Sequence, residues 1–503
     1  MNTVWVFGDQ LNRRIGALAH AEPARDRVLM VEAVQQIASK RYHRQRLHLV
    51  LAAMRRLAGE LATAGFEVDY RRAPTMLDGL AAHRAEHRPD RVVATEPLSW
   101  GLRRMLERVD VEMVRSNQFL CHPKDFASWA DATGRFRLEE FYRWQRQRLG
   151  YLMDGDQPAG GRWNFDAENR QRPPRDGRNW PAPVRSQLDD LDQAVLADLP
   201  TSAFGADPIG LWATSRRAAL ARLRSFIEEV LPGFGPYEDA MLRANGDLLS
   251  GTNRWRLSHS MLSHALNIGL LLPGEVCDAV EDAYRAGHVP VASAEGFLRQ
   301  VIGWREYVWN LYWRWMPDWR TMNELDARRP LPPAFLGADT HMRCVAETIA
   351  GIDDRAWVHH IQRLMVLANL AMLAGVSPQA VAGWMAASFV DGSEWVMVPN
   401  VVGMAMWADG GRMATKPYAA GGAYINRMSD YCGSCAYDPK QRTGPSACPF
   451  STLYWDFIAR HADRFEANYR MRQPLHTLRR LPDLAEVRTR AEEVLHLLDE
   501  GRL

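Results

Sequence analysis

Thr3–Gln10 reads TVWVFGDQ, and this stretch decides the fold of the N-terminal part. Thr3–Phe7 is a short apolar run that ends in the turn Gly8-Asp9-Gln10, the pattern of a buried strand with a tight exit. The unit recurs downstream. Arg27–Glu32 (RVLMVE) reads as a second strand. His43–Gly65 carries apolar residues at helical spacing and stops at a glycine. Phe66–Tyr70 is a third strand, Met76–His87 a helix, Arg91–Thr95 (RVVAT) a fourth strand and Val111–Arg115 a fifth. Strands alternating with helices predict a parallel, Rossmann-like sheet with both faces covered. Ligands of such sheets bind beyond the carboxyl ends of the strands. Gly8, Asp9, Gln10 and Glu32 are therefore placed where a small molecule would sit, although Asp9 and Gln10 also read as plain turn caps.

From about Lys124 to Asp207 the alternation stops. Asp154–Arg178 (DGDQPAGGRWNFDAENRQRPPRDGR) is polar and rich in Gly, Pro and Arg, and reads as a long connector. From about Pro208 nearly every segment has helical period: Ala213–Leu231, Met261–Leu272, Gly274–Gly287, Ala294–Trp315, Asp354–Ala374, Pro378–Ser388, Pro449–Met471 and Leu481–Leu498. The predicted organisation is an α/β domain over 1–123, an interdomain linker over 124–207 and a large all-α domain over 208–503. At about 150 residues per domain, a chain of 503 residues suits this division.

Apolar residues are 47% and charged residues 24% of the chain, which excludes wholesale disorder and fibrous folds. The net charge of +2 excludes a uniformly basic surface, so any anion-binding face is local. Only four basic residues are Lys (Lys40, Lys124, Lys416, Lys440), and the other 58 of 62 are Arg, whose forked cation suits phosphate. Six Cys form no disulfide scaffold. Met1–Leu11 lacks the pattern of a secretory signal. The longest apolar run, Met365–Val376, is too short to span a bilayer. The expected compartment is the cytoplasm, with no membrane partner.

Cys432-Gly-Ser-Cys435, followed after twelve residues by Cys448-Pro449, lies in a Gly/Pro-rich loop. Two thiolates at i and i+3 on a turn can share one metal or cluster. Three need a fourth ligand, for which Cys344, Cys277 and Cys121 are available. Cys before Pro is a habit of iron–sulfur ligands, so a cluster leads over a zinc site or three buried thiols. Gly303–Trp319 (GWREYVWNLYWRWMPDW) places Trp304, Trp309, Trp313, Trp315 and Trp319 on one helix and its exit, where core packing is the plain reading. In Trp357–Arg363 (WVHHIQR), His359 and His360 point about 100° apart if helical, and Arg363 lies one turn beyond. A buried Arg363 needs an anion, and Asp391 is the natural one.

With these motifs in order, the chain resembles the cryptochrome/photolyase superfamily, and within it the bacterial iron–sulfur branch that includes prokaryotic (6-4) photolyases. VWVFGDQL (Val4–Leu11) looks like that branch's opening strand and turn, and GGRWNFDAENR (Gly160–Arg170) like its interdomain segment. His259–Ser263 (HSMLS) is similar to the superfamily's flavin-phosphate segment, and Trp304–Tyr307 to its W-R-E-F/Y helix. Trp357–Arg363 matches W-x-H-x-x-x-R in the HHxxR form of (6-4) enzymes.

The resemblance implies an N-terminal antenna domain and a helical domain that binds FAD. Tyr237, Ser260, Leu262 and Ser263 would hold the diphosphate region, with the start of the Met261–Leu272 helix attracting phosphate. Gln300 would make a polar contact to FAD or the lesion, and Trp304 and His359 would line the flavin pocket. Arg363 and Asp391 would flank the isoalloxazine, and Asn400 would face its N5. Cys344, Cys432, Cys435 and Cys448 match the ligands of a [4Fe–4S] cluster. The sheet would hold a 6,7-dimethyl-8-ribityllumazine antenna near Gly8, Asp9, Gln10 and Glu32.

The implied substrate is double-stranded DNA carrying a UV lesion, with Mg a candidate assisting cation and the protein a monomer. Light-excited reduced FAD would donate an electron to a flipped-out (6-4) photoproduct. His360 would donate the proton, and Tyr418 and Tyr424 would line the lesion pocket. Arg412, Lys416 and Arg427 stand near enough in sequence to grip phosphates. Trp384 would be the electron-relay residue closest to flavin, but Met385 and Leu336 stand where relatives carry aromatics. Phe335, Trp357 and the Trp304–Trp319 set are the alternatives. The competing functions are a blue-light photoreceptor with little repair, a cyclobutane-dimer photolyase, and a light-independent iron–sulfur DNA-processing protein.

Overall fold

The computed structural model describes residues 1–134, 137–244 and 252–503. Five parallel strands open the fold: β1 (Asn2–Val6), β2 (Asp26–Ala33), β3 (Val68–Ala73), β4 (Val92–Thr95) and β5 (Glu112–Val114), in the spatial order β3-β2-β1-β4-β5. This is the doubly wound order, and its direction reverses beside β1. Trp5, Leu29 and Ala94 are fully buried in the sheet, and Val4 and Met30 share a core cluster with Leu49 of the helix Arg44–Thr63. The helix Met76–His87 covers the other face, started by a reciprocal cap between Thr75 and Asp78. Gly79 on that helix lies against Val31, where a Cβ would come within 2.6 Å of the valine side chain.

The strand expected at Phe66–Tyr70 instead runs Val68–Ala73, because Phe66 is buried in the layer below the sheet edge. Within 124–207 the chain forms the helices Pro123–Thr133, Leu138–Leu149 and Asp190–Ala197 around an irregular stretch. The first two pack on the helical body: Phe126, Trp129 and Phe141 join its core, and Glu306 accepts a hydrogen bond from the Cys121 amide at 2.8 Å.

The body from Pro208 is helical, as its periodicity predicts, but three expected helices are interrupted. Met261–Leu272 is helical only over Ser263–Asn267, because Met261 (φ 57°) and Gly269 (φ 82°) take left-handed backbone on either side. A Cβ at Gly269 would come within 2.5 Å of Ile15, so the turn there is needed for the two parts of the chain to meet. Asp354–Ala374 breaks at Ala356 (φ 53°), runs non-helical through Trp357–His359 and resumes at His360. Pro449–Met471 is helical over Pro449–Arg460 and then divides into short turns. Met316–Pro317 is a cis peptide bond.

Candidate functional site

The break at Ala356 builds the main site. Because Trp357–His359 is not helical, His359 and His360 do not diverge by the helical angle expected from sequence. Both line one cavity of about 330 Å³ in the helical body. Ser260, Leu262, Ser263, Gln300, Trp304, Arg363, Asp391 and Asn400 line it as well, so ten of the residues assigned to the flavin and lesion sites converge. The walls are otherwise apolar, with Phe297, Val301 and Met404 among them.

Polar groups inside are arranged in pairs. Arg363 Nη1 donates to Asp391 Oδ1 at 2.8 Å, the predicted pairing, and the Ser263 hydroxyl donates to Asp391 Oδ2 at 2.7 Å. Burial by itself would raise the Asp391 carboxyl, but the Arg363 cation and these bonds outweigh it and hold it below the usual range. Trp304 Nε1 donates to Asn400 Oδ1 at 3.0 Å, which fixes the amide that faces the cavity. His259 stacks on His359 with ring centroids 4.4 Å apart. Burial, and then the neighbouring cations, hold both imidazoles well below the usual pKa. Neither His359 nitrogen has a hydrogen-bond partner within the protein, nor do His259 Nε2, Arg305 Nη1 and Glu238 Oε2. Buried polar atoms left unpaired at a cavity wall mark a place for a polar ligand.

His360 stands at the rim. Its side chain is 56% exposed, and Nε2 lies 3.4 Å from Asp239 Oδ1. Tyr418 and Tyr424 do not line the cavity but lie outside it, both within electrostatic reach of the same Asp239. Tyr418 is 41% exposed, and Arg427 stacks over the Tyr424 ring at 5.5 Å. Arg427 is exposed beside Tyr424, and Arg412 and Lys416 are exposed on the segment leading to Tyr418.

Two expected residues are placed elsewhere. Tyr237 packs edge-on against Trp180 under Arg178, and its neighbour Glu238 lines the cavity instead. Trp384 packs against Phe335 and Phe389, while Met385 reaches the cavity. Glu238, His259, Arg305 and Trp395 are cavity residues that the sequence did not single out, although His259 and Arg305 lie inside the quoted HSMLS and WREY motifs.

A second site gathers the cysteines. Cys344 near the start of the helix Arg343–Arg355, Cys432 and Cys435 on one turn, and Cys448 capping Pro449–Arg460 surround one small void. Cys121 and Cys277 are buried elsewhere, so Cys344 is the fourth member.

At the carboxyl end of β1, Gln10 donates to the carbonyl of Glu96 at 3.0 Å and thereby sits across the switch point from β4. Asp9 Oδ1 and Gln10 Oε1 are buried without partners, and burial pushes the Asp9 carboxyl up to about 6. Glu32 is already saturated by Arg55 at 2.8 Å and Tyr70 at 2.5 Å. Gly8 packs tightly, its would-be Cβ 3.0 Å from Val50.

Residues 4–210 match the family described as "Deoxyribodipyrimidine photo-lyase-related protein". A (6-4) photolyase of Agrobacterium fabrum is 38% identical over 517 aligned positions, covering 99% of both chains. An uncharacterized protein of Acanthamoeba polyphaga mimivirus is 30% identical over 102 residues, 20% of this chain and 76% of its own. The fold resembles the crystal structure of a bacterial class III photolyase from Agrobacterium tumefaciens, with a TM-score of 0.54, 15% identity and coverage of 99% and 98%.

Proposed function

The chain belongs to the cryptochrome/photolyase superfamily, alongside the bacterial (6-4) photolyases, and from that membership we propose that it repairs (6-4) photoproducts in double-stranded DNA under light. The observation that carries the reading is the cavity with unpartnered polar atoms inside and His360 at its rim. Full-length similarity to a (6-4) photolyase favours repair over a photoreceptor role.

FAD fits the cavity: unpaired donors and acceptors line an apolar pocket with one internal ion pair. Bound there, it supplies a light-driven electron to the lesion. The chain's own residues do the rest. The Arg363 guanidinium, anchored by Asp391, sets a fixed cation beside the flavin. Asn400, held by Trp304, presents its amide to it. Ser263 is committed to Asp391, so Ser260 is left as the hydroxyl for the diphosphate. Apolar walls exclude water, which strengthens every charge interaction inside. His360 holds a proton at the rim, where a flipped base arrives, and transfers it as the hydroxyl moves between the two bases. Tyr418 and Tyr424 flank that entry, and Arg412, Lys416 and Arg427 hold the flanking phosphates.

The four cysteines would hold a [4Fe–4S] cluster that ties the loop before Pro449 to the helix at Cys344. A 6,7-dimethyl-8-ribityllumazine antenna would use the unpartnered acceptors of Asp9 and Gln10, while Glu32 would serve only as a wall. Among the described residues no helix is long and apolar enough to cross a membrane; the reading makes the protein a cytoplasmic monomer. Mg²⁺ prefers oxygen ligands, and the two tight donor clusters, His259/His359/His360 and Asp69/His83/His87, are nitrogen-rich, so neither suits it.

The deciding experiment gives flavin-loaded, thiol-reduced protein two oligonucleotides, one with a (6-4) photoproduct and one with a cyclobutane dimer, in blue light and in the dark. Light-dependent loss of the (6-4) lesion alone is the expected result. No repair of either lesion with the flavin reduced would overturn the reading.

A further inference from the structure

Repair needs reduced flavin, so electrons must reach the cavity from outside. The residue expected to pass them on, Trp384, does not line the cavity. Its next aromatic neighbour is Phe335, with centroids 5.0 Å apart, and the following residue is Leu336, 54% exposed. A benzene ring is far harder to oxidise than an indole, and leucine carries no π-system at all. That path therefore ends one step from Trp384.

A different set of indoles does reach the cavity. Trp395 lines it and is buried, with Nε1 unpartnered. Trp309 lies edge-on to Trp395 at 5.7 Å, and Trp313 edge-on to Trp309 at 5.3 Å. Trp313 is half-buried, with the half-buried Arg103 at 5.2 Å over its ring. Three adjoining indoles thus run from the cavity wall to the surface. Phe119 stacks face to face on Trp309 at 3.9 Å and fixes its plane. Arg305 stands 4.9 Å over Trp395, so a positive hole is less stable there than one step outward. This favours the first step, from Trp395 to Trp309, while the Arg103 cation over Trp313 is offset by its pairing with Glu107 at 3.4 Å.

We propose that Trp395, Trp309 and Trp313 are the electron-entry route of this protein. The inference rests on the flavin reading of the cavity. The Trp395 indole gives one electron to light-excited oxidised flavin and becomes a radical cation. Trp309 refills Trp395, and Trp313 refills Trp309. An external thiolate then returns one electron to Trp313 and becomes a thiyl radical, and two thiyls couple to a disulfide. Each cycle moves one electron from thiolate to flavin and leaves the three indoles as they began.

The test uses full-length, flavin-loaded protein carrying Trp309→Phe, Trp313→Phe or Trp384→Phe. Flavin content, melting temperature and (6-4) repair after chemical reduction are measured first. They report whether the cavity and the enzyme are intact, so failure of the flavin or repair reading shows in the wild type at this stage. Flavin reduction under blue light with thiol is then timed, and the tryptophan radical is followed by transient absorption. Trp309→Phe keeps the stacking on Phe119. It and Trp313→Phe are expected to slow photoreduction by about tenfold or more and to shorten the radical's lifetime, while Trp384→Phe stays within about twofold of wild type. Wild-type photoreduction in both Trp309→Phe and Trp313→Phe, or loss confined to Trp384→Phe, would overturn the route. Trp313 is half-buried, so its variant keeps the test open if Trp309→Phe does not fold.

Discussion

His360 and Glu306 show how differently two titratable residues can matter. His360 is exposed at the rim and faces Asp239, where only its chemistry is at stake. His360→Ala is expected to keep its flavin but lose (6-4) repair by about a hundredfold or more, the usual size of a lost general acid, as read by chromatography of the irradiated lesion. Glu306 is fully buried, and burial pushes its carboxyl up to about 7. In an unfolded chain it would titrate near about 4.3, so between these values the folded state keeps a proton that the unfolded state releases. Its contribution to stability is whole below about 4.3 and is lost as pH rises to about 7. Glu306→Gln keeps an acceptor for the Cys121 amide and removes the titration. Its melting temperature relative to wild type should therefore become more favourable from about pH 5 to about pH 8, by calorimetry. A pH-independent difference would count against this. Both histidines and Arg363 were legible from the HHxxR spacing, and Asp391 from the anion a buried Arg363 needs. The saturation of Glu32 was not, because Arg55 and Tyr70 meet it from other elements.

Elements meet closely where the cysteines converge. A Cβ at Gly422 would come 2.8 Å from Cys448 Sγ and 2.9 Å from Ser451 Oγ, so the turn before Gly422–Met428 must approach bare. Gly422→Ala should lower the iron and sulfide content of purified protein, measured against flavin content as an internal reference. Cys435→Ala should go further and give insoluble or cluster-free protein, and a soluble variant with full iron would remove Cys435 from the ligand set. The CxxC and Cys-Pro spacings could be read directly. The choice among Cys344, Cys277 and Cys121 could not, because each lies in an apolar helical context or next to one. At the sheet edge the same limit moved β3: Val68–Ala73 (VDYRRA) is polar, so the apolar Phe66 looked like the start of the strand.

At the scale of the whole molecule, a net charge of +2 leaves DNA binding to a local basic face. Arg427 is exposed beside Tyr424, and Arg412 and Lys416 are exposed on the segment leading to Tyr418. Lys416→Ala and Arg427→Ala should each weaken binding to damaged and undamaged duplex alike and flatten the dependence of log affinity on log salt by about one phosphate contact. An affinity loss confined to lesion-bearing DNA would instead assign those side chains to the flipped base. Fluorescence anisotropy across a salt series separates the two.

By itself the sequence determined the alternating α/β opening, the helical body, the cysteine spacing and the motifs that name the family, because each depends on local period or short-range spacing. Only the tertiary structure decided which side chains share a cavity. The left-handed residue Ala356 swings His359 off the helix and turns it toward His259. Glu238 takes the place expected for Tyr237, and Trp395 reaches the wall that Trp384 does not. Those outcomes depend on packing between segments far apart in the chain, and no period along it encodes them.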